Sequence, residues 1–218
     1  MQILREMYYK MYQAFGPQHW WPGDTPFEVA VGAVLTQNTN WGNVERAISN
    51  LKKNKALSAK AIHEIPPKKL AELIRPAGYF NVKADRLKSF MNFFMNTYHG
   101  NMNKMKNEDT YTLREKLLSV KGIGPETADS ILLYALEKTV FVIDAYTKRV
   151  LSRHGVMEHE KSYDEFQGLF HSSVEKKVKL YNEYHALFVR VGKTFCKRKN
   201  PLCEKCPLKV MLEDRVIF

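Results

Sequence analysis

The sequence is poor in cysteine, with three residues in 218, all between positions 196 and 206. An odd number confined to one end excludes a disulfide framework and fits a reducing compartment. Long apolar runs are also missing. No window approaches the roughly 20 consecutive apolar residues of a membrane span. The start, Met1-Gln2-Ile3-Leu4-Arg5-Glu6, reads as an amphipathic helix and not as a signal peptide. Strand signals are scarce. Thr139-Val140-Phe141-Val142-Ile143 has that character, but it is short and has no evident partner, so an extended connector through a helical core is expected. Internal repeats and low-complexity tracts are absent. Acidic residues are few beside basic ones, 23 Asp plus Glu against 34 Lys plus Arg, a net charge of +11. That excess favours a polyanionic partner, most simply nucleic acid.

What is present is helical periodicity. Apolar residues make up 44% of the chain, enough to bury one large core or two small ones. Helices are expected over Ile3 to Phe15, Phe27 to Thr36, Trp41 to Lys52, a short segment from Pro66-Pro67 to before Pro76, Val82 to Tyr98, Ala145 to His154, Tyr163 to Val174 and Leu180 to Phe195. The basic stretch Lys52-Lys53-Asn54-Lys55 reads as a solvated helix end. His63, His99 and His159 show no ligand spacing. Tyr181, Tyr184 and His185 share a helix with Leu187, Phe188 and Val189 and are read as packing.

Leu117-Leu118-Ser119-Val120-Lys121-Gly122-Ile123-Gly124-Pro125-Glu126-Thr127-Ala128-Asp129 reads as a helix, a tight hairpin and a second helix. Leu113, Leu117, Leu118 and Val120 give the first helix its apolar face; Ala128, Ile131, Leu132 and Ala135 give the second its own. Gly122 and Gly124 permit positive φ and close approach of another molecule to the backbone. Pro125 suits a first helical turn, and the amides there form an anion site. With Lys121 alongside, and Ile123 and Thr127 counted with the same surface, the hairpin suits a DNA phosphate held by backbone without base readout. The bland alternative is an ordinary helix–turn–helix corner. A nucleotide-binding loop is disfavoured because the third glycine is missing and no strand precedes the hairpin.

Asp144 ends the apolar connector and begins a helix. Its ordinary role there is an N-cap. The same position favours an ionised carboxylate, which beside a DNA-gripping hairpin would stabilise positive charge developing on a deoxyribose.

Leu118 to Ala128, followed by Val142-Ile143-Asp144-Ala145-Tyr146-Thr147-Lys148-Arg149-Val150, resembles the helix–hairpin–helix, Gly/Pro, Asp signature of the endonuclease III superfamily of DNA glycosylases. The Glu126-to-Asp144 spacing matches that family's. Gly32-Ala33-Val34-Leu35-Thr36-Gln37-Asn38-Thr39 resembles its segment near the lesion pocket, and Gly78-Tyr79-Phe80-Asn81-Val82-Lys83-Ala84 its glycine–aromatic turn. The resemblance covers nearly the whole chain. It implies an all-α, two-lobed fold with DNA in the cleft between lobes and a C-terminal Cys-rich loop. One lobe, over 22–133, would be a six-helix domain containing the hairpin. The other, 1–21 plus 134–218, would hold the catalytic aspartate and the Cys loop. By the same resemblance Asp144 is the catalytic carboxylate, and the target nucleotide is extruded before its glycosidic bond is cleaved.

Bifunctional members carry a lysine where this chain has Glu126. Glutamate cannot form the Schiff base, so a monofunctional, water-using glycosylase is expected. Together with Glu126, His19-Trp20-Trp21-Pro22 and Thr36-Gln37-Asn38-Thr39-Asn40-Trp41 are similar to the 3-methyladenine glycosylase branch. Trp20, Trp21, Pro22, Gln37, Trp41 and Glu126 are therefore the base-pocket candidates. Indole faces suit a cationic alkylated purine, at roughly 0.5–2 kcal/mol each; core packing is the competing reading for each tryptophan. Asp129 is a candidate for a supporting role.

Cys196-x6-Cys203-x2-Cys206 resembles the iron–sulfur loop of endonuclease III, whose fourth cysteine falls here at Leu212. Three readings stay open: a 4Fe–4S cluster completed by Glu213 or Asp214, zinc with a further ligand, or a loop without metal. The first is preferred, in a structural role. The expectation is thus a monomeric base-excision DNA glycosylase, acting on double-stranded DNA with a damaged base. It would be cytoplasmic, and nucleoid-associated if the source is prokaryotic. The alternatives are a bifunctional glycosylase/lyase for oxidised pyrimidines and a non-catalytic DNA-binding module.

Overall fold

The computed structural model describes residues 2–20 and 23–213. In chain order its α-helices are α1 (Gln2–Phe15), α2 (Pro26–Leu35), α3 (Trp41–Lys53), α4 (Ala59–Glu64), α5 (Pro67–Leu73), α6 (Phe80–Tyr98), α7 (Met102–Asn107), α8 (Thr110–Leu118), α9 (Pro125–Ser130), α10 (Ala145–Arg153), α11 (Tyr163–Ser173), α12 (Val178–Thr194) and α13 (Val210–Glu213). No strand occurs among the described residues. The chain divides into two compact units, one of Trp21–Lys138 and one of Met1–Trp20 with Thr139–Phe218. Short α4 and α7 are additional to the six helices expected over 22–133.

In the Trp21–Lys138 unit, α2 is buried continuously from Glu28 to Leu35. A helix buried on all sides is the centre of a core. Thr25 caps it, accepting from Glu28 N–H at 3.2 Å, and Pro26 sits in the first turn, where no N–H is needed. Around it α3 buries Val44, Ala47, Ile48 and Leu51, and α6 buries Leu87, Phe90, Met91 and Phe94. The helix end at Lys52 is not merely solvated: its ammonium pairs with Asp24 at 2.7 Å and Glu28 at 2.8 Å. Lys88 of α6 turns its ammonium onto the last carbonyls of α4, Ile62 at 3.2 Å, Ile65 at 3.0 Å and His63. These contacts satisfy acceptors that a helix leaves open at its C-terminus. The helix after the hairpin is α9 continued by a π-helical turn over Ile131–Ala135, whose Ile131, Leu132 and Leu133 are buried against α2.

The other unit is built on aromatic packing. Phe141 of the connector stacks on Phe170 at 3.7 Å and meets Tyr181 and Tyr184 edge-on at 5.2 and 5.8 Å. The connector Thr139–Ile143 has no strand partner, so its backbone groups must be satisfied by side chains. His171 accepts from Phe141 N–H at 3.0 Å, Gln167 donates to Phe141 C=O at 2.7 Å, and the Tyr163 hydroxyl accepts from Ile143 N–H at 3.2 Å. Three side chains of α11 thus fix the extended run that delivers Asp144.

Candidate functional site

The hairpin between α8 and α9 is closed by Ile123 N–H donating to Val120 C=O at 3.0 Å. Val120 lies past the end of α8, in the turn. The two glycines differ. Gly122 takes φ +87, which favours glycine, and the Arg86 side chain occupies the space a Cβ would need. Gly124 is extended, at φ −96 and ψ 178, and a Cβ there would meet open space. The expectation of positive φ thus holds at Gly122 alone; Gly124 instead keeps the approach to the helix start bare. Lys121 and Glu126 are exposed, whereas Ile123 and Thr127 are buried.

The buried face of the hairpin is tied down by a relay. Arg86 donates to Gln37 Oε1. Gln37 Nε2 donates to Gly122 C=O at 3.1 Å and to Thr127 Oγ1 at 2.8 Å. The structure therefore places Gln37 and Thr127 behind the hairpin, as its support. Asp129 also supports it: fully buried, it receives Arg114 Nε at 2.7 Å and Nη2 at 3.2 Å. Sequence reasoning gave Arg86 no part, although it lies on the helix that follows the quoted turn. In that turn Tyr79 is 72% exposed at φ +44.

Trp41, at the start of α3, is half-buried and donates to Glu45 Oε1 at 2.8 Å. It lines a cavity of about 380 Å³ with Asp24, Glu28, Glu45, Ile48 and Lys52. Three carboxylates against one ammonium make this cup acidic. Trp20 has a different environment, with the Lys193 ammonium 5.7 Å from its ring centroid. Trp21 and Pro22 lie outside the described residues.

Asp144 is the N-cap of α10, with Oδ1 accepting from Thr147 N–H at 2.7 Å. It is 8% exposed. Burial by itself would push its carboxyl up; the His185 imidazole facing it and the Thr147 N–H outweigh that and hold it below the usual carboxylate range. His185 Nε2 stands 3.6 Å from Asp144 Oδ2. The buried aspartate is therefore kept ionised at neutral pH, as a group stabilising positive charge must be. The two readings of Asp144, cap and charged group, coexist in one side chain.

The C-terminal loop is held to α10 by arginines. Arg149 donates to Cys196 C=O at 2.7 Å and to Gly192 C=O at 3.0 Å. Arg153 donates to Lys197 C=O at 2.6 Å and Arg198 C=O at 3.0 Å, and reaches Cys196 Sγ at 3.5 Å. Cys196 is buried, Cys203 exposed and Cys206 half-buried. Burial pushes the Cys206 thiol up, against the opposing Leu208 N–H. Among the described residues no three His, Cys, Asp or Glu side chains are gathered as a metal-binding set. Three thiols fall short of the four a 4Fe–4S cluster normally takes, and Leu212 at the fourth position has no donor. Asp214 lies outside the described residues. Among those residues no helix is long and apolar enough to cross a membrane.

The sequence pattern of HhH-GPD superfamily base excision DNA repair proteins matches residues 31–176. The chain is 51% identical over 210 residues to a putative DNA repair glycosylase of Methanocaldococcus jannaschii, covering 94% of each. It is 27% identical to the endonuclease III of Thermotoga maritima, over 84% of this chain and 81% of that one. Among solved structures it resembles the H. pylori 3-methyladenine DNA glycosylase bound to 1,N6-ethenoadenine, with TM-score 0.76 and 33% identity over 88% of this chain and 96% of that one. A non-covalent endonuclease III–DNA complex shares the fold, with TM-score 0.83 and 21% identity over 99% and 97%.

Proposed function

The chain belongs to the HhH-GPD superfamily of base excision DNA repair proteins, and on that premise we propose that it is a monofunctional DNA glycosylase for alkylated purines such as 3-methyladenine. The observation that carries the reading is a buried Asp144 held ionised at a helix N-terminus.

Asp144 stabilises the oxocarbenium-like sugar as the C1′–N bond breaks and its electron pair leaves with the base. Water then adds through oxygen at C1′ and gives a proton to Asp144, which releases it to solvent. A 3-alkylated adenine is cationic on the sugar and leaves neutral, so the departing base needs no proton donor. Trp41 and the acidic cup beside it supply the matching attraction for such a cation. Trp20, whose ring already faces Lys193, is the weaker pocket candidate. The hairpin, with Lys121 exposed and Gly124 bare, holds phosphate, and exposed Tyr79 offers an apolar wedge to a deformed duplex. The 33% identical neighbour solved with a modified adenine supports the same substrate class.

The position a lyase would need as lysine is Glu126. Two lysines have ammonium groups pushed down by burial: Lys83, to about 8, and Lys88. Both are engaged on backbone carbonyls, Lys83 with Ala77 C=O at 2.7 Å, which argues against either as a Schiff-base nucleophile. For the C-terminal loop the 4Fe–4S reading rests on the endonuclease III-like spacing of Cys196, Cys203 and Cys206, in a structural role, against a described residue set that gathers no metal-binding group. Iron and sulfide quantitation of the purified protein tests it.

The deciding experiment incubates wild type and Asp144→Asn with duplex DNA carrying 3-methyladenine. Free base is followed by chromatography and strand breaks by gel. The expected result is base release by wild type alone, with no break until alkali is added. Breaks without alkali, or a borohydride-trapped adduct on abasic DNA, would overturn the monofunctional reading. Base release equal in both proteins would overturn the role of Asp144.

A further inference from the structure

We propose that His185 is the positioning residue for Asp144, aiming its carboxylate by presenting Nε2 across the α10–α12 contact; this rests on the reading of Asp144 as the catalytic carboxylate.

The two groups are 3.6 Å apart at Asp144 Oδ2 and His185 Nε2. Both are more than nine-tenths buried. At 3.6 Å the contact is longer than a made hydrogen bond, and catalytic contacts in free enzymes commonly tighten only once substrate is bound. The two oxygens of Asp144 are divided between partners. Oδ1 takes Thr147 N–H from its own helix, and Oδ2 faces a residue from a different helix. Thr147 is a cap contact that any N-terminal aspartate makes; His185 is not.

The backbone arrangement that brings them together is specific. His185 and Gly192 are two helical turns apart and share a face of α12. At Gly192 a Cβ would lie 2.5 Å from the Tyr146 ring, so only glycine lets the start of α10 lie this close. Arg149 locks the same contact by donating to Gly192 C=O. The imidazole also lies edge-on to Phe141 at 6.4 Å, against the connector that delivers Asp144. A histidine used only for packing would need neither this approach nor a carboxylate in front of its nitrogen.

The other titratable groups around the pair are not in a position to replace it. Tyr184 and Tyr181 on α12 are held neutral by burial, Tyr181 with its hydroxyl pushed up to about 12, and the Tyr184 hydroxyl is committed to Leu4 C=O at 2.6 Å. On α11, His171 accepts from Phe141 N–H and the Tyr163 hydroxyl accepts from Ile143 N–H. From α1 the interior receives Leu4, Met7 and Met11.

Burial without a partner raises a carboxyl by up to about 3–5 units. Without His185 only the Thr147 N–H would oppose that push, and Asp144 would be less fully ionised at pH 7. The test compares His185→Leu, His185→Asn and His185→Gln with wild type and Asp144→Asn. Single-turnover base release on 3-methyladenine DNA is measured from pH 6 to 9, with DNA affinity and thermal midpoint alongside. Gln carries a donor to about the reach of Nε2; Asn falls short of it; Leu has none. The expected result is base release about tenfold slower at pH 7 for Leu and Asn, recovering toward pH 9. Gln should stay within about threefold of wild type at every pH, with Kd unchanged in all. If Leu fails to fold, the Asn–Gln pair carries the same comparison. A wild-type pH profile in Leu or Asn would overturn the proposal, as would equal losses in Asn and Gln that do not recover with pH. Wild-type release by Asp144→Asn would instead overturn the role of Asp144, a distinguishable failure.

Discussion

The two units treat their polar groups in opposite ways. In the Trp21–Lys138 unit the polar groups of the hairpin are at the surface. Lys121, Gly124 and Glu126 are exposed, and the Arg86–Gln37 relay braces the hairpin from behind. In the other unit the polar group of interest, Asp144, is buried, and the His185 imidazole and the Thr147 N–H offset the burial that would push its carboxyl up. A group that grips phosphate works while hydrated, and backbone amides cannot titrate away. A group that stabilises a transient cation works best away from water, where an unpaired charge is costly. On the proposed reading, binding is distributed and tolerant, while the chemistry rests on one side chain and its partners.

That contrast can be broken most sharply at Asp144. Asn is as good an N-cap as Asp, so Asp144→Asn should keep the fold and the DNA Kd, with only a modest drop in thermal midpoint, while base release falls by about 10²–10⁴-fold. A parallel loss of DNA affinity would erase the division of labour. Next come the hairpin glycines, which should separate folding from binding. Gly122→Val should destabilise by about 1–3 kcal/mol, since it meets Arg86 and a left-handed backbone. Gly124→Val has open space and should keep its stability, yet weaken DNA binding by blocking close approach. Urea unfolding with filter binding reads both; equal stability losses would mean the hairpin is only a corner.

A smaller effect is expected at Gln37→Ala. Losing the bonds to Gly122 and Thr127 should cost about 1–3 kcal/mol at about 0.5–1.5 kcal/mol each, with base release at saturating DNA intact. A lost rate at saturation would return Gln37 to the base pocket. The smallest effect concerns pH. Asp144 has a depressed carboxyl when folded, so its contribution to stability is fully present above the unfolded value of about 3.9 and is lost as pH falls through the folded one. The stability difference between wild type and Asp144→Asn should therefore be flat from pH 8 to 5 and shrink below pH 4. A difference already shrinking at pH 6 would mean the carboxyl is raised instead.

Much of the fold was legible because its signals are local. Apolar spacing located the long helices, and the Gly-x-Gly-Pro run located the hairpin. The apolar connector was read as running outside any sheet, and among the described residues no strand pairs with it. Short α4 and α7, six residues each, escaped because one and a half turns carry too little periodicity to stand out. Asp144 was legible as the N-cap of α10 because an aspartate closing an apolar run before a helix is a local signal. The roles of Gln37 and Thr127 were not legible, since their partners lie 85 to 90 residues away along the chain.

The sequence by itself determined the helices, their caps, the charge that draws a polyanion and the presence of one aspartate at a helix start, because each of these is set by neighbours a few residues apart. Only the tertiary structure decided that Gly122 needs its bareness for Arg86 and Gly124 does not, that Gln37 braces the hairpin, and that His185 stands before Asp144. Those relations depend on which helix faces lie against each other, and it is such a meeting of side chains that lets a buried carboxylate stay charged.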